Sequence, residues 1–314
     1  MAGVFVVLLA TLLVGPFLVS VPPLTDTVDP TALADPDSRF IEVEQVHVHY
    51  KEAGKGPPSF VLLHGFGASV FTWREVMGPF SELGRTVAYD RPAFGLTQRP
   101  LQWPRANPYG DAAQSAIAIA LLDALQIDRA VWVANSAGAR VAVDVALRHP
   151  DRVSALVLVD PAIDAGPRWL RPLLHTPQFQ HLGPRLVRTI ADRGDDGIRM
   201  AWHDPSRITP DVFAGYRVPL RANDWDKALW QFTVADRDPG VAERVPQLVG
   251  TPTLVITGAD DRIVPTQRTI DLASRVPGSH LVVLPDCGHV PQEECPVPFM
   301  DAVHEFLQTA GVPQ

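Results

Sequence analysis

Lysine is nearly missing from this chain. Only Lys51, Lys55 and Lys227 occur among 314 residues, so arginine carries almost all of the positive charge. No basic block appears anywhere, and the net charge is −8 with a pI near 5.6. Both facts argue against a nucleic-acid partner, which needs a basic patch or stripe. Internal repeats and low-complexity tracts are absent too. What is present is ordinary for a folded enzyme: 46% hydrophobic and 20% charged residues, a balance wrong for disorder. The length holds one large α/β domain or two modest ones.

Charge is also absent from Val4 to Val21. As a helix that stretch spans roughly 27 Å, close to a bilayer core. Met1-Ala2-Gly3 offers only the terminal amine as an n-region, and no good cleavage site follows Leu18. The expectation is a hydrophobic N-terminal helix within residues 1–21 that anchors the protein in a membrane. A cleaved signal segment and a buried N-terminal helix are the other two readings. Asp26, Asp29, Asp35 and Asp37 precede the first basic residue, Arg39. That asymmetry places the main domain outside the cytoplasm, or makes it secreted if the segment is removed. Residues 22–38, rich in Pro, Thr and Asp and without periodicity, read as a linker.

From Arg39 onward strands and helices alternate. Phe40 to Tyr50 suggests two antiparallel strands around Glu44-Gln45. Ser59–Leu63, Thr86–Tyr89, Ala130–Ala134 and Ala155–Val159 follow as short apolar strands. Helical patterns over about 70–83, 111–125 and the end of the 129–149 stretch, with Val141, Val145 and Leu147 on one side, separate them. Such alternation implies a mostly parallel sheet wound on both faces. It stops between about Ile163 and Gln247, where short amphipathic stretches broken by prolines carry many aromatics. This segment, residues 163–247, reads as a helical cap inserted after the sixth strand. Alternation resumes with strands at Thr253–Ile256 and Leu281–Leu284 and helices near 266–275 and 297–308. Residues 39–162 and 248–314 thus form the core.

The chemistry gathers at the carboxyl ends of those strands, where open α/β sheets bind ligands. Ala134-Asn135-Ser136-Ala137-Gly138 joins a strand to a helix with no room for a loop. A serine on so tight a turn needs small residues two before and two after, which defines a nucleophile elbow. Alanine at 134 replaces the usual glycine. Two later loops offer partners: Gly258-Ala259-Asp260-Asp261-Arg262-Ile263-Val264-Pro265 and Pro285-Asp286-Cys287-Gly288-His289-Val290-Pro291. The chain order Ser, Asp, His is that of α/β-hydrolases.

With these motifs, His64-Gly65-Phe66-Gly67 and Asp90-Arg91-Pro92-Ala93-Phe94-Gly95, the chain resembles the capped esterase and carbon–carbon hydrolase group of the α/β-hydrolases over about residues 40 to 310. The resemblance implies Ser136 as nucleophile, His289 as base and Asp261 as the acid that fixes the imidazole tautomer. Asp260 and Asp160 are the alternative acids. The backbone N–H groups of Phe66 and Ala137 would form the oxyanion hole. No cofactor or metal is called for.

The expected activity is a carboxylesterase-like serine hydrolase that cleaves an ester-like bond of a small apolar substrate. Hydrolysis of carbon–carbon bonds in ring-cleavage diketones is the alternative, and a ligand receptor on a hydrolase scaffold a minor third reading. Trp169, Trp202, Trp225 and Trp230 are the candidate pocket residues of the cap. His64 reads as a loop former. His47 and His49 read as an exposed strand face, since no third metal ligand is indicated. Cys287 and Cys295 flank the base; an exported domain permits a disulfide there, and two free thiols are an equal reading.

Overall fold

The computed structural model describes residues 2–164, 166 and 168–311. Met1 of the expected anchor, 165 and 167 of the expected cap, and 312–314 of the expected core lie outside the described residues. Eight strands form one sheet: β1 (Arg39–Val43), β2 (Val46–Ala53), β3 (Ser59–Leu63), β4 (Arg85–Tyr89), β5 (Ala130–Asn135), β6 (Val153–Val159), β7 (Thr253–Gly258) and β8 (His280–Leu284). Their order is β1-β2-β4-β3-β5-β6-β7-β8. β2 runs antiparallel to β1 and β4, and every other pairing is parallel.

The sheet is covered on both sides, and the central strands show it residue by residue. Val61 and Leu63 of β3, with Trp132 and Ala134 of β5, pack into one core against Ile117, Leu121, Val141 and Val145. The intervening Phe60, Leu62, Val131 and Val133 face a second core built with Trp73, Phe80, Phe299 and Val303. Period-two alternation with both faces buried is why these strands read as unbroken apolar runs.

The helices are α1 (Ala2–Leu18), α2 (Met77–Leu83), α3 (Asp111–Ala124), α4 (Ala137–Arg148), α5 (Arg171–Leu174), α6 (Pro177–Asp192), α7 (Gly194–Ala201), α8 (Pro210–Arg217), α9 (Trp225–Val234), α10 (Gly240–Glu243), α11 (Thr266–Arg275), α12 (Pro291–Glu294) and α13 (Pro296–Thr309). α5 to α10 lie between β6 and β7. Part of this insertion has its own small core of Val187, Trp225, Trp230 and Val234.

Three expectations need correction. The helix expected over 70–83 is split into a 3-10 turn at Val70–Trp73 and α2. Pro79 explains the split: without an N–H it fits the first turn of a helix begun at Met77 and would break one begun at Val70. The linker is not free: Asp29 caps a 3-10 turn at Pro30–Leu33, and Val28 bridges to Ala222 of the insertion. The N-terminal helix does not meet the expectation of a membrane-spanning anchor. It has 17 residues, with Pro16 inside it, and no helix among the described residues is long and apolar enough to cross a membrane. It lies instead along α6, where Gln178 Nε2 donates to Leu13 O (3.1 Å) and His181 Nε2 to Val19 O (2.9 Å).

Candidate active site

Ser136 sits between β5 and α4 with φ 51° and ψ −122°, a left-handed conformation that costs a non-glycine residue energy. Tertiary bonds hold it there. The Ser136 N–H donates to Val159 O (2.8 Å), and the Ala162 N–H donates to Ser136 O (3.0 Å). Gly138 is required by space: a Cβ there would stand 2.5 Å from Leu63 O and 2.7 Å from His64 O. At the departure from the usual pattern, the methyl of Ala134 is simply absorbed into the core beside Trp132.

The His64–Gly67 loop crosses directly over this turn. A Cβ on Gly65 would lie 3.0 Å from Asn135 Oδ1 and 3.0 Å from Ser136 Cβ, so glycine permits the close approach. His64 fixes the loop rather than reaching a ligand. The Arg91 N–H donates to its Nε2 (3.0 Å), which leaves Nδ1–H to donate to Gly65 O (2.7 Å). Burial, with help from the Arg91 charge, depresses its pKa to about 3, so the ring is neutral.

His289 and Asp261 are both buried, and His289 Nδ1 lies 2.7 Å from Asp261 Oδ2. Asp261 Oδ1 accepts the N–H groups of Ile263 (2.7 Å) and Val264 (2.9 Å). Its neighbour Asp260 turns outward to His203 Nδ1 (2.8 Å). Asp160, the other alternative acid, is fully buried behind the pair; its carboxylate, that of Asp261 and a His289 ring nitrogen lie within 4.8 Å of one another.

Residues that the sequence places in the motifs, but to which it gives no role, tie these loops together. Asn135 Nδ2 donates to His289 O (3.1 Å) and Val159 O (3.3 Å), which links the elbow to the histidine loop. Buried Glu294 accepts N–H groups from Gly288 (2.8 Å), His203 (2.9 Å) and Asp204 (2.9 Å). The His289 N–H donates to Ala201 O (2.7 Å). The insertion is thereby fastened to the base. An Asn before the serine and the Glu-Glu pair after the Gly-His loop were the available signals.

The candidate aromatics scatter. Trp202 is buried beside Val290, next to His289. Trp225 and Trp230 fill the insertion's own core, and Trp169 is 77% exposed. The aromatic wall over the elbow comes from elsewhere: Phe66 lies 5.7 Å from Phe94 and 5.9 Å from Phe232, and those two are 4.7 Å apart. Phe94 lay within a quoted motif, whereas nothing marked Phe232 among the other aromatics of 163–247.

One further expectation changes, and one left open is decided. His49 does not lie on an exposed face; it is 1% exposed, with Nδ1 2.6 Å from Asp90 Oδ2 and Nε2 2.8 Å from Ser38 Oγ. Only His47 is exposed, beside Glu42. Chain folded over the strand from Ser38 covers His49, which period-two reasoning about β2 alone cannot foresee. Cys287 and Cys295 form a disulfide, with Cα atoms 6.3 Å apart. A surface hollow lined by Arg39, Glu52, Lys55 and Arg85 borders the starts of β3 and β4, the sheet end opposite Ser136.

A parallel sheet with a serine elbow, a buried His–Asp pair and an inserted helical layer at its carboxyl end defines the class. The chain belongs to the alpha/beta hydrolase fold family, whose model matches residues 58–296. A 2-hydroxymuconate semialdehyde hydrolase of Pseudomonas putida is 31% identical over 274 residues, 82% of this chain and 90% of its own. An esterase of Thermogutta terrifontis is 24% identical with a TM-score of 0.70, covering 84% of this chain and 94% of that one. A bacterial membrane phospholipase A is 23% identical with a TM-score of 0.66, covering 99% and 95%. The protein is a hydrolase of this fold.

Proposed function

We propose that the protein is a serine hydrolase in which Ser136 attacks a carbonyl carbon of a small apolar substrate. His289 takes the serine proton on Nε2 and returns it to the leaving group, while Asp261 holds Nδ1–H and stabilises the imidazolium. The N–H groups of Phe66 and Ala137 receive the oxyanion, each worth on the order of 3 kcal/mol of barrier. Water then releases the acyl group from the serine. The observation that carries this reading is the buried 2.7 Å contact between His289 and Asp261, on a loop tied through Asn135 to the elbow.

Two scissile bonds fit this scheme. An ester-like bond is the one the sequence puts first, and the wall of Phe66, Phe94 and Phe232 suits an apolar acyl group. A carbon–carbon bond in a ring-cleavage diketone is favoured by the 31% identical relative, a 2-hydroxymuconate semialdehyde hydrolase. That likeness weighs more than the 24% identical esterase and favours the carbon–carbon reading over the ester. Steady-state rates on a nitrophenyl ester series and on a 2-hydroxy-6-oxo-dienoate decide between them. Ser136→Ala should abolish both; unchanged turnover would remove Ser136 from the role.

The disulfide between Cys287 and Cys295 supports a working place outside the cytoplasm, since such bonds persist in oxidising compartments. Added protease should therefore cut the domain in intact cells after removal of the outer layers. Full protection would refute this localisation.

A further inference from the structure

Asp160 directly follows β6, the strand before the insertion, and its carboxyl lies beside the acid of the site. Its Oδ1 accepts from Thr257 Oγ1 (2.7 Å) and from the Gly258 N–H (3.2 Å). Its Oδ2 is fully buried and meets no donor. The group it does face is Asp261, which has no hydrogen to give; the two carboxyl groups and His289 lie within 4.8 Å of one another. No Lys or Arg forms an ion pair with Asp160 or Asp261 among the described residues. Two carboxylates so placed would repel at close range, and one oxygen would stay buried without a partner. A single proton on Asp160 Oδ2 removes both faults.

We propose that Asp160 is held as the neutral carboxylic acid and donates its O–H to the Asp261 carboxylate, acting as a positioning residue for the acid that orients His289. This rests on the triad assigned above. Burial first, and then the Asp261 charge, push the Asp160 carboxyl well above the usual carboxylate range, against the weaker pull of Thr257 and Gly258. Asp261 then accepts from Ile263, Val264, His289 and Asp160, so it cannot rotate away from the imidazole. No proton leaves Asp160 during turnover. It stays neutral while His289 gains and loses the serine proton.

Asp160→Asn and Asp160→Leu separate this from an ionised or merely space-filling Asp160. The asparagine Nδ2 can donate in place of the O–H, and its Oδ1 can still accept from Thr257. We expect Asp160→Asn to keep kcat/KM within about threefold, with the acidic limb of its pH profile unmoved, because no charge is removed beside His289. Asp160→Leu should lose roughly ten- to a hundredfold in kcat, the cost of removing a hydrogen bond to a charged group. An acidic limb displaced downward by about a unit or more in Asp160→Asn would show that wild-type Asp160 carries a charge, and would overturn the proposal. Should the leucine variant fail to fold, infrared difference spectra of wild type against Asp160→Asn at neutral pH read the proton directly. A carboxylic-acid carbonyl stretch lost in the variant supports the proposal; its absence from wild type refutes it. The same band measured in Ser136→Ala reports on Asp160 whether or not Ser136 is the nucleophile, so the two assignments fail separately.

Discussion

At the scale of single residues, the site rests on positions where one atom more is one too many. Gly138→Ala would press a methyl against the carbonyl oxygens of Leu63 and His64, backbone atoms that cannot swing aside. We expect loss of folded yield, or a fall in Tm of several degrees with turnover nearly gone. Ala134→Gly, which restores the usual glycine, should cost only about 0.5–1 kcal/mol through strand entropy and leave kcat intact; thermal unfolding and ester turnover check both. His64 supplies a pH signature. Its folded pKa of about 3 lies below the 6.5 of the free side chain, so the unfolded chain binds the extra proton. Its contribution is complete above pH 6.5 and drains as pH falls toward 3, by at most about 1.4 kcal/mol per unit. His64→Gln, unable to titrate, should be less stable at neutral pH yet flatter between about pH 4 and 6.5; urea unfolding at both ends measures the difference. A variant as acid-sensitive as wild type would place the slope elsewhere. The loops that carry Ser136, His289 and Asp261 were legible because their flanking residues are dictated by the turns. The burial of His49 and the placement of Asp160 beside Asp261, rather than in its place, were not, because their partners come from segments that only folding brings near.

At the scale of elements, the important joint is between the insertion and the loop that carries the base. Glu294 takes three backbone N–H groups from two segments, and Arg207 Nη2 donates to its carbonyl oxygen (2.9 Å). A second joint lies beside it: Glu293 pairs with Arg74 Nη1 (2.6 Å) and takes hydroxyl hydrogen bonds from Thr72 and Tyr216. Burial raises the Glu293 pKa, and those partners pull it back. Glu294→Gln would turn an amide N–H toward backbone donors, leaving at least one buried group unpaired at about 1–3 kcal/mol. The expected result is a roughly tenfold fall in kcat, with faster proteolysis within α7 and α8; unchanged cleavage there would mean that Glu294 does not hold the insertion. These joints explain why the strands were readable and the insertion was not. β3 and β5 announce themselves as apolar runs buried on both faces. α6 and α8 each begin at a proline, and Trp225 and Trp230 are spent on packing one helix against another. An aromatic in a short helix looks the same in a sequence whether it faces a pocket or a neighbouring helix.

At the scale of the whole molecule, residues 13–28 behave as part of the insertion rather than as an appendage of the core. Arg185 Nη1 donates to Ser20 O (3.2 Å), Phe17 packs 5.4 Å from His181, and Leu24 packs against Val187, Trp225 and Trp230. Val28 closes the contact, with its N–H donating to Arg221 O (2.9 Å) and its oxygen accepting from Asn223 (2.8 Å). The apolar stretch that composition assigned to a bilayer thus has a protein surface to lie on, formed by α6 of the insertion. Removal of residues 1–28 should therefore act on the insertion and spare the sheet. Leu24 alone buries enough apolar area to contribute about 1–2 kcal/mol, and the two Val28 bonds add about 1 kcal/mol each. Loss of that support from a small separate core should raise hydrogen exchange in α6 and α9 while β3, β5 and β7 keep theirs. KM should rise more than kcat falls, because the wall over the elbow includes Phe232 of α9, whereas the insertion holds His289 through Ala201 of α7, which is not among the residues that these N-terminal contacts touch. Equal protection of α6 and α9 in the truncated and full chains would show that the contact is incidental, and a fall in kcat alone would mean that it reaches the catalytic loops instead.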